Sequence, residues 1–249
     1  MSLADVPMRP TTRIWIGTPD GADHELWRYM DFIKFVDLLQ RRTLWFTRLD
    51  QFADPYEGVL TKPTAEFFAQ VRSRTGFRGG LNHEMWRKIR CVNCWYMEEY
   101  ESAAMWDLYS KQGGVAIRSR ISRLEHSFAP EVTGGSWAIA GNAVRYVDYE
   151  HENTAGLDMD GSVLMTADFL CKRKSFEHER EYRLATILEE DEREFPGKRI
   201  PVILDALIEK VVVSPTAPNW MAEVIRHEVG TYGLDVEVIQ SDLYRPMLK

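Results

Sequence analysis

The stretch "FEHEREYRLATIL", Phe176 to Leu188, decides how this chain is read. Glu179, Glu181 and Arg183 stand at alternate positions, and the residues from Tyr182 onward favour strands. In a strand, side chains two apart leave the same face, so two acids and a base would share one side of a sheet. A solvated edge strand satisfies that pattern, and so does the working face of a cleft. The apolar residues that follow Arg183 place the strand inside a sheet. There an acid, acid, base face needs a cleft beside it.

Working outward, the N-terminal residues 1–20 read as an arm or opening strand, with "RIWIGTP" from Arg13 to Pro19. Leu26–Met30 is a strand. Asp31 is the N-cap of a helix in which Phe32, Phe35, Val36, Leu38 and Leu39 fall roughly on one face. Thr43–Leu49 alternates as a strand. Residues 62–90 read as helix, interrupted by glycines near 76–80. Cys91–Met97 is a strand, and Glu101–Ser110 a helix capped by Ser102. "GGVAIRS" and Ala143–Tyr149 are strands. Gly161–Ser175 reads as a helix leading into Phe176. Lys210–Pro215 is a buried strand, "NWMAEVIRHEVGTYG" an amphipathic helix and "DVEVIQS" a last strand. No repeat or linker divides the chain. Residues 1–249 are expected to form a single mixed α+β domain with a central, mostly antiparallel sheet and flanking helices.

Thirty-one Lys and Arg stand against 38 Asp and Glu, a net charge of −7. That argues against broad binding to a phosphate backbone, which needs a basic face. The basic residues between Arg72 and Gly80 and between Met85 and Arg90 read as solvated surface. Three cysteines cannot complete a disulfide framework. No apolar run reaches the length of a bilayer span, and the first ten residues lack the apolar stretch of a signal peptide. The expectation is a cytoplasmic protein with no membrane partner.

Cys91 and Cys94 form a Cys-x-x-Cys pair, but the only other cysteine is Cys171, and no pair of histidines at ligand spacing completes a zinc site. In a strand the two thiols point to opposite faces, so no metal is assigned. The six histidines are scattered, without the pattern of a Ser-His-Asp hydrolase, and no phosphate loop is present. In "DPYE", Asp54 and Glu57 form either a turn that satisfies its own amides or a loop beside a ligand pocket. Trp106 and Tyr109 share a helix face, as core packing or as a wall for a planar ring.

Four pieces now stand in order: "LWFTRLDQFADPYEG", "CVNCWYMEEYESAAMWDLYSKQGGVAI", "VRYVDY" and "KSFEHEREYRL", followed by "KVVVSP", a helix and "DVEVIQSDL". The series resembles domain-of-unknown-function family 2971, found in bacteria and phages, over residues 26–243. Ala53 stands where that family commonly has Asn, and Phe176 near a common Trp. The order of elements also resembles ADP-ribosyltransferase-like folds more distantly. That second resemblance implies a trio of Arg28, an aromatic such as Trp45 or Trp95, and Glu181.

The chemistry it implies is cleavage of NAD or transfer of its ADP-ribosyl group, with phage defence or a toxin-type system as the expected setting. NAD would be the substrate rather than a resident cofactor. A carboxylate stabilises the ribosyl cation formed when the nicotinamide bond breaks. Glu181 is the candidate for that role, held in a cleft rather than in packed core, with Glu179 as its neighbouring base or acceptor-orienting group. Arg28 would bind the diphosphate through its planar fork. Trp45, Trp95, Trp106 and Tyr109 would hold the ring, and Arg183 would fix a carboxylate or pair structurally within the sheet. Two alternatives stay open: a non-enzymatic ligand-binding or antitoxin-like partner protein, and a nuclease in which Asp54, Glu57, Glu179 and Glu181 gather Mg²⁺. The acceptor, whether protein or nucleic acid, is not specified by the residues.

Overall fold

Asp31 does start a helix: its carboxylate accepts the Lys34 amide at 2.8 Å and caps α1, Phe32–Arg41. Phe35, Leu38 and Leu39 bury one face of α1, and Arg42 ends it in the left-handed region at φ 51°. The strands on either side are β2, Glu25–Met30, and β3, Thr43–Arg48. The computed structural model describes residues 13–75, 83–110, 113–135, 138–155 and 167–246.

The strands build one large sheet. Its order is β1 (Arg13–Ile16), β6 (Ala138–Ala143), β9 (Glu181–Ile187), β4 (Arg90–Met97), β2, β5 (Val115–Arg120), β11 (Lys210–Val213) and β12 (Glu237–Gln240). β3 pairs with β4 and carries β10, Gly197–Pro201. Pairing is parallel at the two ends, β1 with β6 and β11 with β12, and antiparallel between them. The fold is therefore a mixed α+β domain with a mostly antiparallel sheet. Its principal core lies on one face, where Tyr182, Leu184, Val211 and Val213 meet α1 and α8, Asn219–Thr231. On the other face Trp27, Tyr29, Ala116 and Val212 pack under α4, Ala103–Tyr109. No helix among the described residues is long and apolar enough to cross a membrane.

The segment around Glu179 corrects the sequence reading. β9 begins at Glu181, so Glu179 does not share its face with Glu181 and Arg183. Lys174–Glu179 is a 3₁₀ turn, and Arg180 follows in the left-handed region at φ 37°, ψ 53°. One residue there breaks the two-residue alternation that a strand requires. The helix expected over Gly161–Ser175 is also corrected where it can be seen; residues 161–166 lie outside the described residues. Ala167–Leu170 is a 3₁₀ turn and Cys171–Arg173 is a strand, β8, paired in parallel with β7, Arg145–Val147. A waiting strand partner overrides helix preference over so short a run. β6, with sequence AIAGNA, shows the same effect: its small residues carry little strand signal, yet β1 and β9 pair with it on both sides. The interrupted helix is α2, Lys62–Thr75, and α3, His83–Ile89; the glycines expected to break it lie outside the described residues.

Candidate functional site

β2 and β4 pair at Leu26↔Met97 and Trp27↔Tyr96, and their pairing stops there. Each keeps its other neighbour, β5 for β2 and β9 for β4. A cavity of about 490 Å³ opens at this fork, a size suited to a small organic ligand. β2 contributes Trp27, Arg28 and Tyr29, and β4 contributes Cys94, Trp95 and Tyr96. The loop after β3 adds Phe52, Asp54 and Glu57. β8 adds Lys172 and Arg173, the turn after it Phe176 and Glu179, and β9 adds Glu181.

α4 closes one side. Ser102 accepts the Met105 amide at 3.3 Å as its N-cap, and the Tyr29 hydroxyl accepts the Ser102 amide at 2.8 Å. Trp106 meets Tyr29 edge-on at 4.9 Å and donates its indole N–H to Glu101. Those contacts bury Trp106 in the core and leave Tyr109 at the cavity wall, 47% exposed. Its hydroxyl donates to Glu179 at 3.2 Å.

The acidic end of the cavity is a network of ion pairs. Arg183 is fully buried, with 0% of its surface exposed. It donates to Glu181 at 2.7 and 3.0 Å, to Glu57 at 2.9 and 3.3 Å, and to the Phe169 carbonyl at 2.7 Å. The Lys172 ammonium, 7% exposed, reaches Glu181 at 3.2 Å, Glu57 at 3.4 Å, and Glu179. Burial opposes the charge on Glu181 most strongly, yet Arg183 and Lys172 override it and lower its carboxyl to about 2. Burial opposes Lys172 too, but Glu181, Glu57 and Glu179 outweigh it and raise its pKa. Both cations therefore stay charged, and Glu181 is a fixed anion. Burial, followed by the Glu181 charge, pushes the Cys94 thiol well up, so Cys94 is a protonated wall residue and not a nucleophile.

Arg28 stands in contrast. Its Nη1 is buried and makes no hydrogen bond among the described residues. Its guanidinium lies near Trp95, with Cζ 5.8 Å from the ring centre. Burial lowers its pKa to about 10, which still leaves it cationic at neutral pH.

Of the residues singled out in the sequence, Arg28, Asp54, Glu57, Trp95, Tyr109, Glu179 and Glu181 line the cavity. Three others do not. Trp45 lies beneath β10, with Arg199 over its ring at 5.3 Å and no space for a Cβ on Gly197. Trp106 is core. Arg183 lies beneath the wall, where it pairs with acids and contacts no cavity space. Glu181 is itself 4% exposed and belongs to that buried network, against the expectation that it sits free in a cleft. Asp54 fits both readings given for it, a turn and a loop beside the cavity, and forms an ion pair as well. It accepts the Tyr56 amide at 3.1 Å and pairs with Arg173 at 3.0 and 3.2 Å. The four acids proposed for Mg²⁺ are thus already engaged: Asp54 by Arg173, and Glu57, Glu179 and Glu181 by one ammonium. Cys91 and Cys94 fall on opposite faces, Cys91 in the principal core.

Lys172 escaped the sequence reading because its neighbours read as a helix. The one available signal was arithmetic: several acids at the site and too few bases to balance them. No protein-family model, curated protein or solved structure matches the chain.

Proposed function

We propose that this cavity binds a nucleotide-type ligand, and that the activity is cleavage of NAD or transfer of its ADP-ribosyl group. One observation carries the reading: Arg28, a partly buried cation whose Nη1 is a buried and unused donor, lines a cavity walled by aromatic rings. Leaving such a donor unpaired costs roughly 1–3 kcal/mol or more. A diphosphate placed against it would recover that cost and form charge-assisted hydrogen bonds. Trp27, Tyr29, Trp95 and Tyr96 contribute aromatic wall against which a base or a nicotinamide ring would pack. In the same cavity, Glu181 supplies a permanent negative charge for a ribosyl cation but has too low a pKa to act as a base at neutral pH. Glu179, hydrogen-bonded by Tyr109 at the wall, is the carboxylate left for contact with the ligand. Destruction of a shared cofactor is how such an activity would serve phage defence or a toxin-type system.

A second reading has its own support. Arg183 and Lys172 fully engage Glu57 and Glu181, which suits a protein that binds the ligand without turning it over. Incubation with NAD labelled in the nicotinamide ring separates the two. Released nicotinamide supports catalysis. Saturable binding by calorimetry with no release supports the binding protein. Neither binding nor release, with protein and nucleic-acid acceptors present, would remove the nucleotide reading.

A further inference from the structure

We propose that Lys172 is a positioning residue, and that its ammonium holds Glu179 at the cavity wall. The three acids around it are not held alike. Glu181 lies in β9 and Glu57 is 2% exposed, and both pair with Arg183 whether or not Lys172 is present. Glu179 has no such support. It ends a 3₁₀ turn, just before the left-handed Arg180, with no strand ladder to fix it. Its side chain is held by Lys172 and by the Tyr109 hydroxyl, which belongs to a half-exposed residue. Lys172, in contrast, is anchored by the β7–β8 pairing and is itself nearly buried.

Charge points the same way. Glu57, Glu179 and Glu181 carry three negative charges against two positive ones on Lys172 and Arg183, a net of −1. Without Lys172 the net becomes −2 in a largely buried site. The least anchored acid relieves that excess most readily by leaving, and that acid is Glu179. Cys94, Tyr109 and Tyr146 also lie near the ammonium; they are neutral at pH 7, and burial raises their pKa values further. The Phe176 ring, 5.0 Å from Nζ, supplies no charge to take its place. Arg173 lies over the same Phe176 ring, but Asp54 already pairs with it. The inference rests on this geometry; only its effect on ligand affinity rests on the nucleotide reading.

The test combines Lys172→Met with Glu179→Gln and reads thermal midpoints first, which needs no ligand. In the wild-type background Glu179→Gln should lower the midpoint, because it weakens an ion pair. In the Lys172→Met background the same change should raise it, because it removes an uncompensated charge. A lowering of equal size in both backgrounds would overturn the proposal. Should Lys172→Met not fold, Lys172→Met with Glu57→Gln restores the net charge of −1 and serves as the background; there Glu179→Gln should no longer lower the midpoint. NAD affinity then separates positioning from plain scaffolding. Lys172→Met and Glu179→Gln should each weaken binding by roughly tenfold, and the pair by no more than one alone. Lys172→Arg should restore most of it. Losses that multiply in the double variant, or wild-type affinity in folded Lys172→Met, would show that Lys172 does not act through Glu179. Absence of NAD binding by the wild type would remove the nucleotide reading and leave the midpoint test standing.

Discussion

Lys172 and Arg28 both reach the same cavity, and the fold treats them in opposite ways. Lys172 is surrounded by three carboxylates and shares two of them with Arg183. Arg28 has a tryptophan ring near it and a buried donor with nothing to bind. A buried cation enclosed by acids is satisfied within the protein, and removing either side leaves a stranded charge. A cation with a buried donor and no acid to receive it is a standing cost, which a ligand's anion can offset. The difference separates two kinds of charge that composition cannot tell apart: one that holds the site together, and one that waits for something outside the chain.

The largest effect that would break this comparison lies in the network. Arg183→Met should strand Glu57 and Glu181 and cost about 3–5 kcal/mol in urea unfolding. A loss near zero would mean that the network is not the scaffold described. Glu181→Gln keeps the side chain's size but removes its charge, and should cost roughly 2 kcal/mol. It should therefore melt clearly below the wild type, so any drop in turnover has to be measured well below that midpoint. The same residue sets an acid limb. Its carboxyl falls from an ordinary 4.5 to about 2 on folding. A depressed acid contributes stability above its unfolded pKa and loses it as pH falls through the folded one. The stability gap between wild type and Glu181→Gln should thus be full above pH 4.5 and close as pH falls toward 2; a gap that is flat over that range would contradict the assignment.

Arg28→Met reverses the pattern. Stability should stay within about 0.5 kcal/mol of the wild type or rise slightly, because an unpaired buried donor is removed. NAD affinity should fall by roughly tenfold or more, read by calorimetry. If Arg28→Met unfolds the protein instead, Arg28 is structural and the contrast with Lys172 disappears. The smallest change is Tyr109→Phe, which removes one hydrogen bond to Glu179 from a half-exposed ring. It should cost under about 1 kcal/mol, and a larger loss would make Tyr109, rather than Lys172, the main support of Glu179.

The amino-acid sequence determined what depends on near neighbours. Asp31 and Ser102 were legible as caps because a cap acts over three residues of its own chain. Tyr182, Leu184 and Val211 to Val213 were legible as core because apolar runs must be buried somewhere. Arg28, Glu57 and Glu181 stood out as charged groups in or beside strand-forming stretches, and they line the cavity. Tertiary structure decided the rest. Trp45 and Trp95 look equivalent in the chain, but β10 covers one, and the parting of β2 from β4 exposes the cavity beside the other. Glu179 left the strand through one residue's backbone angle, which alternation cannot reveal. Lys172 read as part of a helix because its strand partner and its three acids are brought to it only by folding. Periodicity reports which way a side chain points from its own element; which charges meet is decided by pairing between elements far apart in the chain.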